Sequence, residues 1–115
     1  MKIRSIIAVG MTACGMIAAA PSFAGNVTST IVAVYARQND GLVYFDTKGP
    51  ITNRAACAQS NNTWALPNEN TEIAKKQYAA ILMAKASNLP VDVWGTGACT
   101  RFNGVEDLNV IVVHD

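Results

Sequence analysis

Few side chains in this sequence are of the types that do chemistry, and their spacing limits what they could do. His114 is the single histidine, second from the last residue. Nothing near it in sequence would hold its ring as a general base requires. Asp46, Asp92 and Glu106 lie in separate segments. Their convergence would make an acid–base pair, but isolated surface carboxylates are the commoner case. No Gly-x-Ser-x-Gly elbow is present to expose a nucleophile. Gly95-Thr96-Gly97 matches part of a phosphate loop in letters only, because it follows an expected strand and leads into no helix. Asn26-Val27-Thr28 and Asn61-Asn62-Thr63 match glycosylation sequons and read as accidental in a bacterial-looking export context. These residue types imply neither an enzyme nor a cofactor.

The cysteines carry more. Lys2 and Arg4 make a positive start, Ile6 to Ala20 an apolar run, and Pro21 a helix break. Ser22-Phe23-Ala24 then places small residues at the −3 and −1 positions before Gly25. That is the layout of a cleaved export signal over residues 1–24. An uncleaved anchor is the alternative, and the run is short for a membrane span. Lipidation at Cys14 is another, against which an apolar stretch follows that cysteine. Cleavage leaves residues 25–115 as one secreted or periplasmic domain with no membrane span, seven basic side chains against eight acidic ones, and two cysteines. In an oxidising compartment Cys57 and Cys99 are expected to form one bridge. It would close a loop of about 43 residues and contribute about 4 kcal/mol in the chain-entropy model. Free thiols, a metal pair or an intermolecular bond are the alternatives. The lack of C-x-x-C spacing and the single histidine argue against zinc and leave no metal site.

The whole chain has 115 residues, 50% hydrophobic and 15% charged, with a net charge of +1. It therefore holds one domain at most and is too apolar for a disordered or coiled-coil protein. It has no charge surplus of the kind that nucleic-acid binders use to displace counterions.

The elements that must position these residues follow from patterning. Thr30 to Arg37 is rich in β-branched and aromatic residues and is expected to be a strand. Asn39-Asp40-Gly41 is expected to turn it tightly into a second strand, Leu42 to Thr47. Arg54 to Ala58 could be a short third strand, with Trp64 beyond it as a lid on the core rather than a binding platform. A helix is expected from Asn70, as N-cap, to Ser87, with Asn88 in the left-handed cap position and Pro90 beyond. Its core stripe would be Ala74, Tyr78, Ile81 and Leu82, leaving Ala79, Met83 and Ala86 away from it. Val91 to Thr96 and the near-continuous apolar run Leu108 to His114, expected to be central in a sheet, complete a β-β-β-α-β-β order. This predicts an α+β fold: an OB-like, five-stranded antiparallel barrel with one helix between strands three and four, and one disulfide.

With the export signal, this order resembles the small B subunits of bacterial toxins, in particular those of subtilase cytotoxin and the pertussis-like typhoid toxin. The resemblance rests on Tyr44-Phe45 ending the first hairpin, Ala56-Cys57-Ala58 followed by Trp64, a helix with a central Tyr78, and the Val91-x-Val93 strand. Asp46 stands where that family has a cysteine after Tyr-Phe, and Cys99 lies earlier than the family's last cysteines. The resemblance implies glycan binding, a homo-oligomer and a toxin A subunit as partner. In that family a serine just before strand one helps hold sialic acid, and Thr28 and Ser29 occupy that region here. Thr28, Ser29, Tyr35 and Trp94 are the expected sugar contacts. The alternative is a small exported structural or inhibitor-like protein that binds another protein.

Overall fold

The computed structural model describes residues 24–115. The export segment and Cys14 lie outside the described residues, apart from Ala24. The chain forms strands β1 (Asn26–Ala36), β2 (Val43–Thr47) and β3 (Thr63–Ala65), helix α1 (Glu72–Ser87), then strands β4 (Pro90–Gly95) and β5 (Glu106–Val113). The strands close into a barrel in the order β1-β2-β3-β5-β4. The expected OB-like architecture is present, with one correction. The sheet is not wholly antiparallel, because β3 and β5 run parallel, with Trp64 opposite Glu106 and Ala65 opposite Asp107.

Strand β1 is shared between two neighbours. The first half of β1 pairs with β4, from Asn26 opposite Trp94 to Thr30 opposite Pro90. Its second half pairs with β2. A bulge between Ile31 and Ala33 separates the halves and bends the strand, as closure requires. The β1–β2 turn falls at the expected place, between Arg37 and Leu42. The Gly41 amide donates to the Arg37 carbonyl at 2.9 Å, and the Arg37 amide to the Leu42 carbonyl at 2.8 Å. Gly41 supplies the left-handed φ of 73° that ends this loop.

Arg54 to Ala58 is not a strand. The Ala58 amide closes a turn onto the Ala55 carbonyl, and the Arg54 guanidinium takes the carbonyls of Gln59 and Asn61. The third strand is the Trp64 segment. Trp64 is fully buried as a core residue, and its indole N–H donates to the Thr47 hydroxyl at 3.1 Å. Around it pack Phe45, Leu66, Ile81, Val91, Val93 and Leu108.

Helix α1 is capped by Thr71 rather than Asn70, the Ala74 amide donating to the Thr71 hydroxyl at 3.2 Å. Asn70 is drawn back instead, its amide bonded to the Asn68 side chain. Asn88 takes the left-handed cap at φ 52°, and the Leu89 amide reaches the Ala84 carbonyl. Ala74, Ile81 and Ala84 are the helix residues buried against the barrel. Leu82, expected in that stripe, is 44% exposed. The last strand begins two residues earlier than its apolar run suggests, because Glu106 and Asp107 open it. It is also not buried on both sides, since Val110 and Val112 are exposed on its outer face.

The expected disulfide joins Cys57 to Cys99, with Cα atoms 6.0 Å apart. The parallel pair explains why they meet. Strands β3 and β5 start at the same end of the barrel, so the loops leading into them lie side by side. The Gln59 amide and the Asn61 side chain both donate to the Gly104 carbonyl across the same seam.

Candidate functional site

The outer face of β1, β4 and β5 gathers the chemistry-bearing residues. In β4 the alternation Val91-Asp92-Val93-Trp94 buries both valines and turns Asp92 and Trp94 outward. Register does the rest. Thr28, Asp92 and Val112 lie abreast across the three strands, and Asn26, Trp94 and Val110 form the next row. The Thr28 hydroxyl donates to Asp92 Oδ1 at 2.6 Å, and His114 Nε2 lies 2.6 Å from Asp92 Oδ2. Trp94 is 41% exposed beside this cluster.

Thr28's hydroxyl, and after it the bond from His114, hold the Asp92 carboxyl below its ordinary value. The order of the three groups also decides what they can do. A hydrolytic relay needs the imidazole between hydroxyl and carboxylate, where it can take the hydroxyl proton. Here the carboxylate sits between, so Thr28 is a hydrogen-bonding group rather than an activated nucleophile. Among the described residues no pocket opens on the surface, and no cluster of side chains is arranged to hold a metal ion.

The four sequence-expected contacts do not form one site. Thr28 and Trp94 share the β1–β4–β5 face. Both threonine and serine lie within β1, not before it, because the strand begins at Asn26. Ser29 points the other way from Thr28 and gives its hydroxyl to the Lys48 carbonyl. Tyr35 lies farther along β1, roughly 20 Å from Thr28 at the rise of a strand. There it belongs to an aromatic ledge. Its ring stacks on Tyr44 with centroids 4.6 Å apart, Tyr44 meets Phe102 edge-on at 5.1 Å, and the Arg37 guanidinium lies over Phe102. The Tyr35 hydroxyl donates to Asp46 at 3.1 Å, and this bond to a carboxylate raises the phenol's pKa.

The three carboxylates considered for convergence are separate. Asp46 serves Tyr35 and Thr63, Asp92 serves Thr28 and His114, and Glu106 accepts amides inside the barrel. His114 does have a fixed partner. Its pairing with Asp92 depends on the β4–β5 register, which no short motif carries. The alternation in β4 alone was the signal that Asp92 accompanies Trp94.

Comparison of the chain with protein-family models, curated proteins and solved structures returned no match.

Proposed function

We propose that the chain is an exported, toxin-B-subunit-like module that binds a glycan on the outer face of β1, β4 and β5. One observation carries this reading: Trp94 stands exposed beside the Thr28–Asp92–His114 cluster on a surface with no pocket. A sugar ring has an apolar C–H face and a rim of hydroxyls. An indole takes the first by stacking, and a carboxylate, a hydroxyl and an imidazole take the second by hydrogen bonds. The small barrel with its helix between β3 and β4 supports the same reading. Ser29, spent on the Lys48 carbonyl, and Tyr35, on the separate ledge, are not part of this site.

Trp94→Ala and Thr28→Ala should each weaken glycan binding, by about tenfold or more for Trp94, which corresponds to about 1.4 kcal/mol. Tyr35→Ala should leave binding unchanged. A glycan array read with the folded wild-type protein checks this, and binding to no glycan on it overturns the reading. Homo-oligomerisation and a toxin A subunit as partner belong to the same proposal. The second reading, a small structural or inhibitor-like protein, is favoured by Val110 and Val112, which flank the cluster and are 42% and 38% exposed. A protein partner would bury them. Capture of such a partner that Trp94→Ala abolishes, with a blank array, decides for it.

A further inference from the structure

Glu106 is the most deeply buried acid of the barrel, 1% exposed at the start of β5. Its two carboxylate oxygens accept the Gly25 nitrogen at 3.1 and 3.0 Å, and Oε2 also accepts the Gly97 amide at 3.0 Å. Among the described residues the four ion pairs use Asp40, Glu72, Glu69 and Asp92, so Glu106 has no cationic side chain against it. A buried carboxylate without a counter-charge is costly.

The space around it is cut to fit. A Cβ on Gly95 would stand 1.8 Å from Oε2 of Glu106. A Cβ on Gly25 would stand 2.6 Å from Oε1 and 2.8 Å from Ile51 Cγ2. A side chain at position 25 would force Glu106 or Ile51 to shift. The Gly25 carbonyl is held by the Gly95 amide at 2.9 Å, while Ala24 is exposed. In the uncleaved chain the Gly25 nitrogen is a peptide N–H with one hydrogen shared between two oxygens. As a free α-ammonium it would offer three hydrogens and the missing positive charge.

The export signal is expected to be cut between Ala24 and Gly25, and the buried Glu106 carboxylate receives the nitrogen of Gly25. We infer that Glu106 is the receptor for the α-ammonium of Gly25, so that export processing completes the barrel core with a buried ion pair. This rests on the cleavage reading and is independent of the proposed glycan site. In the step itself, a signal peptidase hydrolyses the Ala24–Gly25 amide with water. Ala24 leaves as a carboxylate, and the Gly25 amine takes up a proton. Retention of one extra residue restores a neutral N–H. Loss of Gly25 removes the nitrogen from the Glu106 carboxylate.

The full chain should be exported from a bacterial host and its mature start read by intact mass. Unfolding is then compared for three forms: the chain starting at Gly25, the chain retaining Ala24, and the Gly25 chain acetylated at its amine. The form starting at a free Gly25 amine should be favoured over both others by about tenfold in the unfolding equilibrium, the difference between a charged and a neutral hydrogen bond at that nitrogen. An anionic partner favours the charged amine, so the inference expects a higher pKa for it in the folded than in the unfolded state. The advantage is therefore full below the unfolded value of about 7.7–8.0 and lost as the pH rises through the higher folded one. Ile51, Trp64, Gly95 and Gly97, which surround Gly25 and the Glu106 carboxylate, do not titrate in this range, and Asp107 faces Thr100 instead. NMR titration of the Gly25 amine reads the shift directly. Glu106→Gln should erase the gap between free and blocked forms. If that variant does not fold, the acetylated comparison stands by itself. Equal stability of the three forms, an amine titrating at the ordinary value, or a mature start other than Gly25 overturns the inference.

Discussion

Asp92 accepts on both oxygens, and the two donors come from opposite neighbouring strands. Thr28 reaches it from β1, and His114 from just beyond β5. Exposed pairs of this kind add little to stability, so the cluster is better understood as a way of fixing three side chains beside Trp94. Its titration is testable. The Asp92 carboxyl lies below its ordinary value, mainly through Thr28 and next through His114. A group with a depressed folded pKa contributes above the unfolded value, and the contribution fades as the pH falls through the folded one. The Asp92 carboxyl carbon, followed by NMR, should therefore titrate at lower pH in the folded than in the unfolded protein. Thr28→Val should raise its midpoint more than His114→Ala does. Equal midpoints in all three proteins would remove the cluster as a coupled unit. Asp40 gives an internal comparison, since Arg37 and the Leu42 amide bring it from 3.8 to about 2 without involving the candidate site.

The loops leading into β3 and β5 are tied by Cys57–Cys99 and by the bonds to the Gly104 carbonyl. The bridge spans a sequence separation of 42 residues. Replacing both cysteines by serine should lower stability by about 4 kcal/mol in the chain-entropy model. Denaturant unfolding checks it, and a loss near zero would mean that the hydrogen bonds of the seam already close the loop. Patterning made much of this architecture legible: the first hairpin, the helix with its Asn88 cap, and the alternating β4 all follow local rules. What it could not reveal depends on partners distant in sequence. A three-residue strand such as β3 is too short for any period, and it is a strand because Phe45 and Glu106 flank Trp64. The opening of β5 was hidden because Glu106 and Asp107 look like loop residues. They are buried because backbone amides of Gly25, Gly97 and Thr100 solvate them. The candidate site was half legible for the same reason. Trp94 and Thr28 stand out by type, whereas Asp92 and His114 meet only through strand register.

At the scale of the whole molecule, the unexplained surface is the outer side of α1. Ile73, Leu82 and Met83 are 62%, 44% and 52% exposed, and Ala79 and Ala86 lie on the same open side as Met83. Glu72, Lys75 and Lys76 charge the first turns of the helix, and Lys85 the last. Small residues around a methionine allow close approach of a second surface. The proposed oligomer would use this side of α1 as its contact. Oligomerisation would also serve a site without a pocket. One shallow face binds a sugar weakly, while several copies on one side of a ring raise the avidity by about a hundredfold or more. Met83→Glu places a carboxylate in the contact and should dissociate the oligomer, read by sedimentation, with the circular dichroism of the fold unchanged. The variant should keep the affinity of the single site for a soluble sugar and lose binding to a dense glycan surface. A wild-type protein that sediments as a monomer at micromolar concentration overturns the oligomer. Equal loss of soluble and surface binding in Met83→Glu would instead place the helix within the sugar site itself.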